Sequence, residues 1–508
     1  MCLAQSYLDV NFAQGGKFSY SNADYSEAVD LLPYNDTLLV LAYRADVDNL
    51  SNYDSDVVLL KLTPDGNLIT TFGDSGQIAF DFANMDFSSP AEMLLDGDKI
   101  IILGHGREFN KQGQSFYLTR FSLNGNLDTS FGDNGCINLD FYGISEVSYA
   151  LAKNKKGELF VGGLSKDSSN INSPVVAKLN ANYELDSTFG GTGKLIVEYL
   201  NGANALKNSE RHLSEGLIRD ILILDDGSIL LAGGDDENNM IVKLLVDGSL
   251  DLGFNNSGYL SVDLDVNSVN RINRLQRLSD GDVIFGAVEH ALGFPVERDF
   301  MVGRLNPQNG SYSMEKIDFL NQEDKIGDVF ITTDESVIAV GNSMLESNAW
   351  QTNHISDFMT ISVIDNTNNL ENNKIFLIPY NTGFQCGLNT VVEQSNGRLV
   401  AAGFSETMTG RELAIIGLDR AKLVTAVSEK SLIDETESWH INLLDDSHIV
   451  IKGNFDNATI QLFDLQGREL AIHKNVKNGQ LLPLNFKSDV FIVTATTPTS
   501  AYSTILKK

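Results

Sequence analysis

The feature that most constrains the fold is a short motif that recurs five times in the first half of the chain. In each copy a Leu leads into a Phe and then a turn: LDVNFAQGG, LITTFGDSG, LDTSFGDNG, LDSTFGGTG and LDLGFNNSG. The Phe residues are Phe12, Phe72, Phe131, Phe189 and Phe254, so successive copies are about 60 residues apart. A repeat of this period predicts one array of similar units over most of the chain.

Each period contains the signals of four short strands. An apolar run such as EAVDLL or IRDILIL precedes a turn, a run ending in small residues such as SILLAGG follows, and then come a third run such as VVLLKL and a last run such as GQIAFDF. The runs are short, rich in β-branched and aromatic residues and bounded by Asp-Gly and Asn-Gly turns, which is typical of strands. Four strands repeated radially predict a β-propeller. A β-solenoid usually has shorter rungs, and separate modules would need spacers that are missing here.

The number of runs predicts how the ring closes. The second and third runs each occur seven times, but the seventh copy lacks a last run, because LAIIGL continues directly into DRAKLVTAV. The motif around Phe12 has no strands before it. An open ring would expose unpaired sheet edges. We therefore predict an all-β fold of seven blades over residues 5–425, in which residues 16–20 supply the outer strand of the last blade.

The repeated motif itself predicts a structural role. A Phe just after a turn can pack between adjacent blades, the Gly that follows can adopt a dihedral angle that other residues avoid, and the Asp can cap the turn. The runs LTPDGNLITTFG (62–73) and FSLNGNLDTSFG (121–132) closely resemble the signature of the delta-60 repeat family of β-propellers. Later copies depart from it, since NPQNGSYSMEKI and NTNNLENNKI lack the Phe-Gly pair. The resemblance implies a propeller and no particular catalysis.

Charge and composition exclude several classes of partner. The formal net charge is −31, so the chain lacks the basic surface that nucleic acids or an anionic membrane would require. No apolar run reaches the length of a membrane span. Three Cys residues are too few for a disulfide scaffold. We interpret residues 1–4 as the remnant of a signal peptide, with the alternative that the chain simply starts here.

The repeat stops near residue 425, and a second domain follows. Residues 426–440 are polar and acidic, which is typical of a linker, and the strand-like runs of residues 441–508 predict a small immunoglobulin-like β-sandwich. ATIQLFDLQGREL and the terminal basic residues resemble the C-terminal sorting domain of type IX secretion cargo, with Asp464, Gly467, Arg468 and Leu470 matching its hairpin motif. Residues 488–491 replace the family's Gly-x-Tyr element, and its early Asn-Pro is absent. The alternative is a generic accessory sandwich.

The sorting-domain resemblance implies a partner and a location. Residues 441–508 would be recognised by the secretion machinery, and the protein would reach the surface or the medium of a bacterium with two membranes. The domain is often removed in that family, so cleavage is a further expectation.

Familiar catalytic and metal-binding motifs do not stand out. The seven His residues are scattered, without the i, i+4 spacing of a zinc enzyme, and there is no G-x-S-x-G elbow or P-loop. His105, in the sequence GHGRE, is interpreted as part of a solvated turn. Residues 46–56 alternate carboxylates as calcium loops do but lack the central Gly and the terminal Glu, so calcium is possible and an ordinary acidic loop is favoured. We expect no other cofactor.

The axis of the ring supplies the remaining candidates. Aligning the innermost runs on the turn that follows them places six residues at equivalent positions, with Arg219 beside one of them: Ala28, Ala150, Asp220, Arg274, Asp328 and Thr390. Asp220, Arg274 and Asp328 would then form a charged group at the channel, and a structural ion-pair cluster is favoured over a ligand site.

Two function classes remain open. The preferred one is a secreted or cell-surface non-catalytic scaffold that binds an unidentified protein or glycan through loops on one face. The alternative is a secreted glycan-active lyase or hydrolase with carboxylates at the axis. A deep axial pocket with two carboxylates about 5–10 Å apart would favour the enzyme.

Overall fold

The computed structural model shows an all-β chain that divides into a ring of sheets and a smaller C-terminal group of strands. The residues that it describes are 2–3, 7–21, 23–46, 54–82, 85, 87–108, 113–141, 143–169, 171–197, 216–234, 239–262, 271–290, 298–317, 324–343, 358–364, 370, 373–378, 380, 385–425, 440–445, 448–452, 457–463, 469–477, 480–484, 490–496 and 501–507.

Two short strands near the N-terminus precede the repeated units, and four-stranded units follow, which we letter A to G in chain order. The first two strands are β1 (Cys2–Leu3) and β2 (Lys17–Tyr20). Unit A comprises β3 (Tyr25–Tyr34), β4 (Thr37–Asp46), β5 (Asp54–Leu62) and β6 (Gln77–Phe80). Unit B comprises β7 (Phe87–Asp96), β8 (Lys99–Arg107), β9 (Ser115–Ser122) and β10 (Cys136–Leu139). Unit C comprises β11 (Ser145–Lys153), β12 (Leu159–Lys166), β13 (Asn172–Leu179) and β14 (Lys194–Ile196).

The later units have the same order of strands. Unit D comprises β15 (Leu217–Ile223), β16 (Ile229–Gly234), β17 (Asn239–Leu244) and β18 (Tyr259–Val262). Unit E comprises β19 (Arg271–Arg277), β20 (Val283–His290), β21 (Arg298–Leu305) and β22 (Tyr312–Ile317). Unit F comprises β23 (Asp324–Ile331), β24 (Val337–Ser343), β25 (Phe358–Ile364) and β26 (Asn373–Ile378). Unit G comprises β27 (Cys386–Glu393), β28 (Leu399–Thr407), β29 (Gly410–Leu418) and the N-terminal β2.

The units are arranged around a common axis. Within each unit the strands pair antiparallel in sequence order, as the four runs of each period predict. The first strand of every unit packs against the first strand of the next, and β27 of unit G packs against β3 of unit A, so that the first strands surround the axis. Buried aliphatic and aromatic side chains fill the space between neighbouring sheets. The ring is therefore held together by an apolar core at each junction.

The N-terminus completes unit G. Strand β2 pairs antiparallel with β29, from Lys17 opposite Ile416 to Tyr20 opposite Leu413, and Leu8 bridges to Leu418. The predicted pairing of residues 16–20 with the strand that ends near Leu418 is confirmed. A six-residue helix, α1 (Arg420–Thr425), follows β29, and its Leu423 is buried in the core of the ring.

The repeated Phe packs across the junctions at which it occurs, as its place in the motif predicts. A Cβ atom on Gly66 of unit A would lie 2.8 Å from Cζ of Phe12, and one on Gly125 of unit B would lie 3.3 Å from Phe72. Both glycines have positive φ, of 76° and 89°. Only a residue without a side chain fits under the ring in that conformation. The predicted cap is also present, since Asp128 Oδ1 accepts a hydrogen bond from the Ser130 amide at 3.2 Å.

The C-terminal strands form two sheets with a shared core. One sheet contains β30 (His440–Asp445), β31 (His448–Lys452) and β34 (Leu481–Pro483). The other has the order β33 (Glu469–Val476), β32 (Ala458–Phe463), β35 (Val490–Thr496) and β36 (Ala501–Lys507). Ile449 and Ile451 of the first sheet pack with Ile460, Leu462 and Val493 of the second.

Three expectations remain to be compared with these elements, for residues 1–4, for the linker and for membrane spans. Strand β1 pairs in parallel with β26 at the edge of unit F, and the interpretation of residues 1–4 as a signal-peptide remnant stays a prediction. The linker of residues 426–440 lies outside the described residues except for its last position. No helix in the described part of the chain has the length and apolar character needed to cross a bilayer.

Candidate axial site

A β-bulge in every first strand places one residue of each unit in the same layer around the axis. In each unit the pairing between the first and second strands skips one residue, and the residue after the skip is the equivalent one. These residues are Asp30, Glu92, Ala150, Asp220, Arg274, Asp328 and Thr390, from units A to G in order. Four carboxyl groups and one guanidinium therefore belong to a single layer.

Arg274 is the cation of this axial layer. Its Nη1 lies 3.0 Å from Glu92 Oε1 and its Nε lies 3.1 Å from Asp328 Oδ1. Glu92 belongs to unit B and Asp328 to unit F, so the guanidinium of unit E links residues from different parts of the ring. The Arg274 side chain is 26% exposed, whereas that of Asp328 is 5% exposed.

Each carboxylate also joins its own unit to the next one. Asp220 Oδ1 accepts from the Ile221 amide at 2.8 Å and its Oδ2 accepts from Leu275 of unit E at 2.6 Å. Asp30 and Asp328 repeat this pattern, with acceptor distances of 2.9 Å to the Met93 amide and 3.0 Å to the Val391 amide. Charge-assisted bonds of this kind are strong in a buried setting.

Glu92 extends the same pattern with a longer side chain. Its Oε2 accepts from the Leu151 amide of unit C at 2.7 Å, while Oε1 pairs with Arg274. The four carboxyl groups are thus committed to backbone amides of the neighbouring unit. The axial layer connects units A to B, B to C, D to E and F to G.

Burial changes the protonation of the axial layer. It raises the pKa of Glu92 to about 8 and that of Asp30 to about 6, although the charge of Arg274 opposes both shifts. Burial also raises the pKa values of Asp220 and Asp328. For Arg274, burial opposes the charged form, but the surrounding carboxylates, Asp328 first, raise its pKa well above the usual value. Burial therefore favours protonation of the axial carboxyl groups, Glu92 above all, and the charge of Arg274 opposes it.

The structure places three of the sequence candidates, Asp220, Arg274 and Asp328, in this layer. Ala28 was wrong by two residues, and the equivalent residue is Asp30. Glu92 was missed. The hairpins of units A and B have two-residue turns, at 35–36 and 97–98, whereas later turns are longer, so an alignment on the turn shifts the register.

A better signal for the layer was available in the sequence. In each acidic case the carboxylate precedes apolar residues, in the runs DLL, EMLL, DIL and DVF. Alignment on that step would have found Asp30 and Glu92.

Arg219, the fourth predicted channel residue, is not in the axial layer. It occupies the bulge position itself, and its guanidinium lies 4.4 Å from the centre of the Tyr149 ring. Tyr149 occupies the bulge position of unit C. The two side chains therefore form a cation–π contact between units C and D.

The other candidates have different outcomes. His105 is buried in β8 and its Nδ1 lies 3.4 Å from Ser148 Oγ, so the solvated turn was wrong, and burial lowers its pKa to about 4. The two flanking glycines lie within the strand, and a Cβ atom on Gly104 would lie 2.4 Å from the Phe82 ring and from the Ser89 carbonyl oxygen. Of the acidic run 46–56, Asp56 pairs with Arg44, and residues 47–53 lie outside the described residues, so the favoured interpretation as an ordinary acidic loop, with calcium binding as the alternative, stays a prediction. Groups of His, Cys and acidic residues that could hold a metal ion do not occur among the described residues.

The sorting-motif residues are described only in part. Asp464, Gly467 and Arg468 lie outside the described residues. Leu470, in β33, packs against the core that the two C-terminal sheets share. Among the described residues of the motif, Leu470 therefore has a role in packing.

Comparison with known proteins bears on the fold of the ring. Residues 98–131 and 157–189 match the family described as "Domain of unknown function (DUF5122) beta-propeller". These matches support a β-propeller family. The two segments lie in units B and C and include the motifs around Phe131 and Phe189. The ring of four-stranded sheets is accordingly a β-propeller.

Solved structures with a similar course of the chain have low identity. A protein of unknown function from Dyadobacter fermentans has a TM-score of 0.44 and 11% identity, covering 80% of this chain and 98% of that one. The polysaccharide lyase Uly1 has a TM-score of 0.43 and 14% identity, covering 79% of this chain and 92% of that one. The NanB sialidase from Streptococcus pneumoniae has a TM-score of 0.39 and 11% identity, covering 82% of this chain and 71% of that one. Among curated proteins, none has a sequence that matches this chain. These likenesses assign no activity to the propeller.

Proposed function

We propose that this protein is an extracellular, non-catalytic β-propeller scaffold that binds a protein or a glycan. The main support for the proposal is that the axial carboxylates already accept hydrogen bonds from backbone amides of the ring. Acid–base cleavage of a glycan needs two carboxyl groups that reach the substrate from either side. Here Asp30, Asp220 and Asp328 accept backbone hydrogen bonds that join adjacent units, and Arg274 neutralises part of their charge. Their arrangement serves the ring rather than a substrate.

A glycan-active enzyme is the second candidate, and Glu92 is the observation that favours it. Its pKa of about 8 makes it a proton donor near neutral pH, as a general acid must be. Its neighbours Asp220 and Asp30 are carboxyl groups as well. Against this role, both Glu92 oxygens are engaged, one by Arg274 and one by the Leu151 amide.

The proposal includes a closed ring of seven blades of the delta-60 type. Units A to G would be the blades, and the shared blade G would hold the two ends of the ring together through β2 and β29. Support comes from the pairing of these strands and from the contact of β27 with β3.

Secretion is the remaining part of the proposal. Residues 441–508 would form an immunoglobulin-like sandwich that the type IX secretion machinery recognises, and the protein would act at the cell surface or in the medium. The two sheets around a common core support the sandwich. The match of residues 464–470 to the sorting hairpin supports the recognition.

Binding and cleavage can be measured on the same full-length protein. Arrays of bacterial surface proteins and of polysaccharides test binding, and reducing ends or unsaturated products released from the polysaccharides test cleavage. We expect binding without product. Product formation that disappears in a Glu92→Gln variant would instead establish the enzyme.

Export has its own test. The full chain behind a signal peptide, and a matched chain that ends at residue 440, are expressed in a bacterium with type IX secretion. We expect only the full chain to reach the medium or the cell surface. Equal export of the shorter chain would show that residues 441–508 are not a sorting signal.

A further inference from the structure

A cavity of about 490 Å³ lies beside the axis, where units A, B and G meet. This volume is within the range of about 300–1,000 Å³ that small-ligand pockets occupy. Its walls come from the start of β3, the end of β4, the start of β7 and one residue of β27. The residues that define this blade-A pocket are Tyr25, Glu27, Tyr43, Phe87, Ser89 and Asn389.

The pocket wall follows from strand alternation. Along β3 the odd-numbered residues Tyr25, Glu27 and Val29 are half-buried and line the pocket, while Ser26 and Ala28 between them are buried. Asn389 is held in the wall, because its Nδ2 donates to the Ala28 carbonyl at 2.8 Å. The polar and aromatic side chains are thus carried on the first and second strands of the blades and not on loops.

The aromatic residues depart from the repeat. Counting back from the bulge, Tyr25 of unit A is equivalent to Phe87 of unit B, Ser145 of unit C and Gln385 of unit G. Units C and G therefore form the equivalent strand with a small or polar residue at this position. Half-buried aromatic residues in two adjacent units are not required by the repeat, and they meet at one cavity.

Arg411 fixes one side of the pocket. Its Nη1 donates to Glu27 Oε2 at 3.0 Å and to the Tyr25 hydroxyl, and its Nη2 donates to Glu406 Oε1 at 2.8 Å. The guanidinium also lies 4.6 Å from the centre of the Tyr25 ring. The Tyr43 ring stands edge-to-face to Tyr25, with centroids 5.9 Å apart. These contacts orient the pocket side chains before any ligand arrives.

The charges of the pocket select against ionic ligands. Among the residues that line the pocket, the charged side chain is Glu27, whose carboxylate pairs with Arg411, so an anionic ligand would meet a carboxylate on a chain of charge −31. A cationic ligand would have to displace Arg411 from Glu27 and from the Tyr25 ring. A neutral ligand with an apolar face and several hydroxyl groups avoids both costs.

We propose that the blade-A pocket binds a neutral saccharide, with one face of the sugar ring packed on the aromatic side chains and hydroxyl groups bonded to Glu27, Ser89 and Asn389. Aromatic faces pack well against the C–H groups of such a ring, and carboxylate, hydroxyl and amide groups match its hydroxyls. The inference rests on the proposed scaffold function and specifies the ligand of one site.

The test uses the full-length protein and three variants of matched type. Tyr43→Ala removes a pocket ring, Tyr43→Phe keeps it, and Tyr149→Ala removes a half-buried tyrosine of unit C that lies outside the pocket. Titration calorimetry is carried out with neutral gluco-, manno- and xylo-oligosaccharides, with anionic oligogalacturonates and with cationic chitosan oligosaccharides. Thermal melting confirms that each variant is folded.

We expect at least one neutral oligosaccharide to bind, with affinity reduced about tenfold or more by Tyr43→Ala and changed less than about twofold by Tyr43→Phe and Tyr149→Ala. A preference for charged oligosaccharides, binding that ignores Tyr43→Ala, or no binding by any member of the panel would overturn the assignment. If any of these results overturns the pocket assignment, retained binding of the wild type to the protein or polysaccharide arrays would leave the scaffold function standing. Cleavage of a polysaccharide would reject the scaffold function itself.

Discussion

At the scale of single residues, the carboxyl groups of the axial layer join adjacent units, and one arginine balances part of their charge. Asp30, Glu92, Asp220 and Asp328 each accept an amide from the next unit, and each feels the charge of Arg274. A buried charge that loses its partner costs more free energy than the pair contributes, because the remaining charge stays desolvated. The arginine is therefore the residue whose removal affects most of the ring.

We expect Arg274→Met to reduce the free energy of unfolding by about 3–5 kcal/mol. The loss should be larger at pH 8 than at pH 5, because protonation of the carboxyl groups at lower pH removes the uncompensated charge. Urea denaturation at the two pH values measures it. Arg277→Met on the same strand is the control, because Arg277 pairs with the exposed Asp225 and should cost less than about 1 kcal/mol. Equal losses for the two variants would argue against the shared role of Arg274.

Glu92 gives the ring a dependence on pH of definite sign. Its pKa is raised on folding, from 4.5 to about 8, so the folded state binds a proton that the unfolded state releases. That stabilisation is complete below about pH 4 and is lost as the pH rises toward 8. Between pH 5 and pH 8 the wild type should lose on the order of 3 kcal/mol relative to Glu92→Gln.

Chemical denaturation at several pH values checks the Glu92 prediction. Glu184→Gln, at an exposed turn of unit C, is the matched control and should follow the wild-type curve. Parallel curves for wild type and Glu92→Gln would show that Glu92 titrates normally.

At the scale of strands, the sequence predicts the elements well and their register less well. Alternating apolar runs and Asp-Gly turns identify the four strands of each unit, because burial and turn chemistry act locally. The bulge in each first strand leaves no such signal, since one extra residue changes the register without changing composition. Asp30 and Glu92 were missed because the turns after β3 and β7 have two residues and the later turns are longer, so an alignment on the turn shifts the register. The blade-A pocket was also unpredictable, because Tyr25, Tyr43 and Phe87 are distant in sequence and meet only through strand pairing and blade packing.

The repeated Phe makes a prediction about the junctions between sheets. Phe189 is fully buried, and a Cβ atom on Gly248 of the next unit would lie 3.1 Å from its ring. We expect Phe189→Ala to cost about 3–5 kcal/mol, through lost burial and the cavity left behind. Leu252, in the next copy of the motif, is 67% exposed, and Leu252→Ala should change stability by less than about 0.5 kcal/mol. Thermal or urea unfolding of both variants decides whether the aromatic residue is the packing device of the motif.

At the scale of the whole molecule, the proposed closure of the ring depends on contacts between the N-terminal motif and units A and G. The Arg398 Nε of unit G lies 2.6 Å from Asp9 Oδ2, and its Nη1 reaches Asp65 of unit A at 3.2 Å. The same guanidinium lies over the Phe12 ring at 5.7 Å. The N-terminal motif is thus held between units A and G, and β2 covers the edge of β29 that would otherwise be unpaired.

Removal of residues 1–20 tests whether this closure stabilises the entire ring. The truncated chain loses Phe12 from the junction, Asp9 from Arg398 and the four-residue pairing of β2 with β29. An unpaired edge is also a template for association with other chains. We expect the melting temperature to fall by about 5 °C or more, with concentration-dependent association. Removal of residues 1–6 alone leaves the motif and β2 in place and should change the melting temperature much less. If the chain without residues 1–20 has the same melting temperature as the full chain, the N-terminal strand does not stabilise the ring. The contacts between the first strands of the units would then be sufficient to hold the ring closed.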